Sequence, residues 1–349
     1  MDKISRTSYI DNLRAVTTIA VIALHAAAPA LFLLFDKQGA QPGWWTANIY
    51  DSLTRPAVPI FVMITGALLL TQTIGLREFL LKRSQRILTP FIFWSLVYLV
   101  FFLALKVRDE GTATLQNIAP WIGTQLLQGT AAHLWYVYMI IGLFLFIPII
   151  KPWVQTASNK ALIYFLIIWI ITLAVNQQKI FLVNNSPFDI HYFSGYIGYL
   201  ILGYYMANRM IVTTGKMLCA AILLVIGYSV TVYGTYIMSK RNGMFSDSYY
   251  ECLTLNVMLM TAGIFTLFKG CNPNLSPKII ACRSLISKYG YGIYLNHFLV
   301  LSVLSYFHLD YSFANPIISI PVTTLVCLAI STLLVYILHR LPYGKSISG

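Results

Sequence analysis

Arg14 and His25 interrupt an otherwise apolar run: Tyr9-Ile-Asp-Asn-Leu-Arg14, then ten residues of Ala, Val, Thr, Ile and Leu, then His25. An imidazole with an unperturbed pKa near 6.5 takes or gives a proton at neutral pH, or accepts an acyl group. A guanidinium, charged at every working pH, suits a phosphate or a carboxylate. Eleven residues of helix turn through about 1100°, three turns plus about 20°, and rise about 16 Å. The two side chains therefore share one helix face. The bland alternative is that Arg14 snorkels to an interface while His25 bonds a neighbouring carbonyl.

Other chemistry-bearing residues are scattered. Asp51 and Arg55 stand at i and i+4, the spacing of a local ion pair, with Pro56 and Pro59 weakening the helix ladder beside them. His133, Trp135 and Tyr136 open an apolar run, where aromatic residues serve as interfacial anchors or as binding surface. Tyr294 and His297 share a late apolar run, and Glu251 begins another, where it is placed to orient a histidine or act as a base. The five cysteines have no C-x-x-C spacing and no histidine partners at zinc-finger spacing, so neither a redox motif nor a metal site is signalled.

The elements that must hold these groups are membrane helices. Hydrophobic residues make up 58% and charged residues 10% of the 349, with a mean hydropathy of +0.71. A soluble domain carries about 25% charged residues. The net charge of +13 comes from short basic clusters between apolar runs, the pattern of membrane topology and not of nucleic-acid binding. Lys3 and Arg6 precede an apolar run that continues to Phe35, which reads as a retained helix and not a cleaved leader.

With about 20 apolar residues per span, helices are predicted near 9–35, 49–72, 87–107, 132–150, 160–176, 193–207, 215–238, 251–268, 289–306 and 316–338. The expected fold is therefore all-α, a polytopic bundle of about ten spanning helices. Residues 1–349 are expected to form a single integral-membrane domain. Most basic residues fall in alternate loops, in the clusters at Arg77 to Arg86 and Lys269 to Lys288 above all, so the positive-inside rule puts both termini in the cytoplasm. The run 193–207 is short and holds Gly195, Gly198 and Gly203, so close packing must compensate for its length. Residues 118–127 read as a re-entrant or interfacial piece.

The order of motifs resembles the acyltransferase-three family of membrane acyltransferases. Arg14 and His25 match its first helix, a basic residue, ten residues, then His. Arg55-Pro-Ala-Val-Pro59-Ile-Phe-Val-Met-Ile-Thr-Gly66 resembles its second helix, and Arg83-Ser-Gln-Arg86 with Ile-Leu-Thr-Pro90 its R-x-x-R motif. His133-Leu-Trp135-Tyr136 is similar to its H-L-W-[FY] element, and Tyr291-Gly-Ile-Tyr294-Leu-Asn-His297 to a late helix. Within the family the look is that of single-domain surface-polysaccharide O-acetyltransferases, such as the enterobacterial common antigen type.

The resemblance implies an enzyme of a bacterial inner membrane that moves an acyl group, acetyl above all, from cytoplasmic acyl-CoA to a sugar hydroxyl of a surface or lipid-linked polysaccharide. No permanently bound cofactor is expected, and acetyl-CoA is the donor substrate. Catalysis falls to His25 and Arg14. Arg83 and Arg86, neighbours at i and i+3 at the entrance of a span, would dock the coenzyme A phosphates, although a topology-setting cluster has the same look. The acceptor would meet His133, Trp135, Tyr136, Arg55, Glu251, Tyr294 and His297. His25 either deprotonates the acceptor hydroxyl or carries the acyl group. Two rival readings are an exporter of a glycan or lipid-linked glycan, whose inverted repeat is not found, and an acyltransferase built on the pair Asn296 and His297.

Overall fold

In lipid, every backbone N–H and C=O must be paired within its own segment, so long apolar runs have little choice but to be helical. The computed structural model describes residues 3–36, 39–110, 115–182, 195–271, 273 and 275–349, and it is an all-α bundle. The chain runs α1 (Lys3–Leu33), α2 (Pro42–Thr54), α3 (Ala57–Leu69), α4 (Leu76–Glu110) and α5 (Leu115–Gln128), then a 3-10 turn at Ala132–Leu134. It continues through α6 (Trp135–Thr156), α7 (Asn159–Leu182), α8 (Ile197–Asn208), α9 (Thr214–Asn242) and α10 (Leu255–Gly270). The last helices are α11 (Pro277–Tyr306), α12 (Pro316–Leu338) and the short α13 (Gly344–Ser348). A two-residue hairpin, Phe35–Asp36 against Gly39–Ala40, joins α1 to α2.

Six segments among the described residues are long and apolar enough to cross a membrane: Ser8–Leu33, Pro42–Leu69, Leu76–Asp109, Ala132–Thr156, Thr214–Asn242 and Pro316–Leu338. Asn159–Val175 and Leu255–Gly270 are shorter apolar helices. The remaining two predicted spans fall on α8, of 12 residues, and on α11, whose first half carries Lys278, Arg283 and Lys288.

Three local expectations change. The predicted span 49–72 is two helices, because Pro56 has no N–H to continue the ladder; the chain turns at Arg55–Pro56, and α3 restarts with Ile60 N–H donating to the Pro56 carbonyl at 2.9 Å. The predicted third span begins eleven residues earlier than expected, at Leu76, so Arg83 and Arg86 lie inside α4. At the His133 turn, Thr130, Ala131, His133 and Leu134 are buried while Ala132 and Trp135 are exposed, so His133 faces the bundle interior and the turn's backbone is sheltered by protein on that side.

The short α8 is held as its glycines require. A Cβ on Gly203 would come 2.1 Å from the Met63 carbonyl oxygen, and one on Gly66 would come 2.0 Å from that of Leu200. Small residues thus let the backbones of α3 and α8 approach, which supplies van der Waals contact where the hydrophobic effect cannot act between helices. α1 lies inside the bundle and packs against α2, α3, α10, α11 and α12. That placement turns Arg14 and His25 toward neighbouring helices.

Candidate functional site

The first helix is pinned at its start by the polar residues of its opening run. Asp11 takes a hydrogen bond from Ser287 Oγ at 3.0 Å and lies 3.6 Å from the Arg14 guanidinium. Asn12 Oδ1 and Ser8 Oγ each accept from Arg283, at 3.0 and 3.1 Å. α11 is therefore clamped alongside α1, and Arg14 faces into the gap between them.

At this level, the near end of the bundle where α1 begins, a cavity of about 180 Å³ is bordered by Arg14, Arg86, Lys288, Tyr136, Tyr291 and Tyr294. Three cations from three helices converge there. Arg83 does not border it; its guanidinium lies 5.8 Å from the centre of the Phe79 ring, because i and i+3 are neighbours and yet differ by about 60° around the axis. Lys288, which sequence reasoning did not single out, takes the place expected of Arg83. Residue Gly349 borders the same cavity, and α13 packs on α4 and α12, so the C-terminal end of the described chain lies at the near end.

His25 sits three turns further along α1, as the spacing requires. Its ring centre is 5.2 Å from that of His297 on α11 and 6.2 Å from that of His133 in the 3-10 turn, and those two are 5.1 Å apart. Phe298 packs edge-on against His25 at 5.6 Å and stacks on His133 at 5.1 Å. His133 and His297 are buried, 2% and 0% exposed, whereas His25 keeps partial access. That access leads to a second cavity, of about 630 Å³, at the far end. His25, Phe101, Phe102, Arg108, Phe298 and Tyr306 are among its walls. Among the described residues no group of three His, Cys, Asp or Glu side chains is arranged to hold a metal ion.

Tyr294 ties the two levels together. It borders the near cavity, and its hydroxyl donates a short hydrogen bond to the His133 carbonyl. Its own carbonyl is 2.6 Å from His297 Nδ1. Tyr98 on α4 does equivalent work from the other side. Its hydroxyl donates to the Leu295 carbonyl at 2.8 Å and accepts from Leu299 N–H at 3.1 Å. An uninterrupted α-helix would pair those two backbone groups with each other.

The remaining candidates lie apart. Arg55 is ion-paired with the fully buried Asp51, and its guanidinium is 3.9 Å from the Tyr250 ring centre. The Tyr250 hydroxyl in turn donates to Asn48 Oδ1 at 2.5 Å. The structure thus brings Asp51 and Arg55 together as the spacing implied. Glu251 lies in the turn before α10, and its carboxyl is held above the ordinary range by partial desolvation and Asp247, against the pull of Arg55. Trp135 is 44% exposed, with its ring 6.1 Å from that of Tyr196. Of the residues expected to meet the acceptor, Tyr136 and Tyr294 border the near cavity, and His133 and His297 belong to the histidine cluster. Phe101, Phe102, Phe298, Tyr98 and Arg108 were not singled out in the sequence. Their only signal is a tyrosine hydroxyl and an arginine on a long apolar helix.

A family model described as an acyltransferase domain matches residues 7–339, nearly the whole chain. No curated protein and no solved structure matches the chain.

Proposed function

The chain belongs to the acyltransferase-three family, and from that premise we propose that this membrane acyltransferase moves an acetyl group from cytoplasmic acetyl-CoA to a sugar hydroxyl of a surface or lipid-linked polysaccharide. The observation that carries this reading is the position of His25 on the wall of the far cavity, inside a histidine cluster that Tyr294 links to a near cavity rimmed by Arg14, Arg86 and Lys288. Three cations suit the phosphates of a nucleotide-bearing donor, since charge-assisted hydrogen bonds to phosphate are the strong ones. The near end, which also receives the basic clusters of α4 and α11, is then the cytoplasmic one, in the inner membrane of a bacterium.

Coenzyme A would lie with its phosphates against Arg14, Arg86 and Lys288 and its thioester directed past Tyr294 towards His25. The far cavity offers what an acceptor sugar needs. Its flat aromatic rings give apolar contact area, Ser302 and Ser305, whose hydroxyls donate to the Phe298 carbonyl and Asp310, keep lone pairs that accept, and its volume falls in the range of about 300–1,000 Å³ common for small-ligand sites. His25 is the general base for the acceptor hydroxyl, or the nucleophile that carries the acetyl group, at the junction of the two routes. Arg14 acts on the donor side.

The test is direct. Purified protein is mixed with radiolabelled acetyl-CoA and membranes of a strain lacking the gene, and surface glycans are compared by mass spectrometry with and without the gene. Label transfer together with a 42-dalton increment per acetyl (about the mass of C2H2O) on one glycan supports the reading. Thermal stabilisation by acetyl-CoA should accompany it. Unchanged glycan masses and no stabilisation by acetyl-CoA would overturn it.

A further inference from the structure

Orphaned polar atoms in a buried, apolar setting are rare, and each calls for an explanation. Three such atoms lie on two adjoining rings of the histidine cluster: neither ring nitrogen of His133, nor Nε2 of His297, has a hydrogen-bond partner in good geometry among the described residues. The tautomer of His297 follows from its other nitrogen. Nδ1 is 2.6 Å from the Tyr294 carbonyl oxygen, and a carbonyl only accepts, so Nδ1 carries the proton. In a neutral imidazole Nε2 is then a bare acceptor. It is wholly enclosed.

The ring is held firmly in that pose. The Tyr98 hydroxyl occupies the backbone pair Leu295 and Leu299 that brackets His297, and the Cys327 thiol approaches the His297 carbonyl at 3.4 Å. A side chain inserted into a helix ladder sets the local course of the helix. The groups beside His297 are His25 from α1, His133 from the 3-10 turn, Tyr294 on its own helix and Cys327 from α12, and Tyr98 from α4 packs on His133. Of these, His133 meets His297 nearly edge-on, at 79°, while His25 lies at 40° with ring centres 5.2 Å apart. Ring centres 5.2 Å apart leave two nitrogens that face each other within the roughly 3 Å of a hydrogen bond, and such contacts commonly tighten when substrate binds.

We propose that His297 is the positioning residue of His25. Its bare Nε2 accepts the N–H of His25, so that the other nitrogen of His25 is left unprotonated and facing the far cavity. The hydrogen bonds then run one way, from His25 N–H to His297 Nε2 and from His297 Nδ1–H to the Tyr294 carbonyl. Both chemical routes need that bare nitrogen. As a base, His25 takes the acceptor hydroxyl proton while the oxygen bonds to the acyl carbon, the C–S bond breaks and its electron pair leaves on sulfur. As a nucleophile, His25 forms the N–C bond while the same thiolate departs, and the acceptor oxygen later displaces it, its proton passing to the thiolate or solvent. In either case the N–H retained on the ring is the one His297 holds. This inference rests on the acyltransferase reading.

The experiment measures acetyl transfer from radiolabelled acetyl-CoA into membranes of the gene-deleted strain, with wild type, His297→Leu, His297→Gln and His297→Asn in the full chain. His297→Leu should lower kcat about 10²- to 10⁴-fold, the range seen when a catalytic imidazole loses its orienting partner, with the KM for acetyl-CoA unchanged. His297→Gln, whose amide oxygen reaches the place of Nε2, should recover at least tenfold over Leu, and the shorter Asn should not. If Leu reduces the folded yield, the comparison of Gln with Asn decides. Transfer by His297→Leu within twofold of wild type, or equal rates for Gln and Asn, overturns the proposal. A wild type that transfers nothing overturns the proposed function first, and this role with it.

Discussion

The two cavities either side of the histidine cluster are made of different materials. The near one sets Arg14, Arg86 and Lys288 around about 180 Å³, with tyrosines Tyr136, Tyr291 and Tyr294 between them. The far one encloses about 630 Å³ with Phe101, Phe102, Phe298 and Tyr306 and a single cation, Arg108, which is already paired with Asp109 at 2.8 Å. A clustered charge recognises charge and responds to salt; a wall of rings recognises shape and apolar surface. In the proposed function the near end takes an anionic donor and the far end an acceptor ring, with His25 on the wall of the far cavity.

The largest effect should come from the junction. His25→Ala is expected to lower acetyl transfer by at least about 100-fold while acetyl-CoA still raises the thermal midpoint of the detergent-solubilised protein; full activity in this variant would remove the meeting point altogether. Next, Arg86→Gln should raise the KM for acetyl-CoA about tenfold, in keeping with the loss of a hydrogen bond to a charged group. Arg83→Gln and Arg108→Gln should each change it less than threefold. Equal effects at Arg83 and Arg86 would mean that the near cavity is not the donor site. On the far side, Phe101→Ala should lower the apparent affinity for the glycan acceptor a few-fold, from the roughly 0.5–1.5 kcal/mol of an aromatic contact, with the KM for acetyl-CoA unmoved. Gly203→Ala, remote from both cavities, serves as the packing control. Overpacking against the Met63 carbonyl should cost about 1–3 kcal/mol of stability, seen as a lower thermal midpoint, with the KM for acetyl-CoA within twofold of wild type.

Much of the helical frame was legible because backbone pairing in lipid leaves so few options; the runs around α1, α9 and α12 needed only length and composition. The α2–α3 break was half legible, since Pro56 was visible as a weak point and its depth along the span was not. The start of α4 was misplaced because its first three turns carry Arg77, Lys82, Arg83 and Arg86, charges that a hydropathy reading assigns to a loop. The burial of Thr130, Ala131, His133 and Leu134 was not legible at all. A turn with aromatic residues looks the same at an interface as it does when neighbouring helices close over it.

The sequence by itself determined that Arg14 and His25 share one face of a spanning helix, about 16 Å apart, since helical periodicity is local and needs no partner. It also carried the family motifs in order. Which residues meet that stripe was decided only by the tertiary structure. Arg86 and not Arg83 joins Arg14, Lys288 arrives from more than 270 residues along the chain, and His133 and His297, each marked in the sequence by its own motif, converge on His25 from a turn and a helix far apart along the chain. The physical reason is that rotation and depth of each helix are set by packing: by glycines that admit a backbone, by a tyrosine hydroxyl inserted into a ladder, and by polar clamps between α1 and α11. None of these can be read from one helix alone.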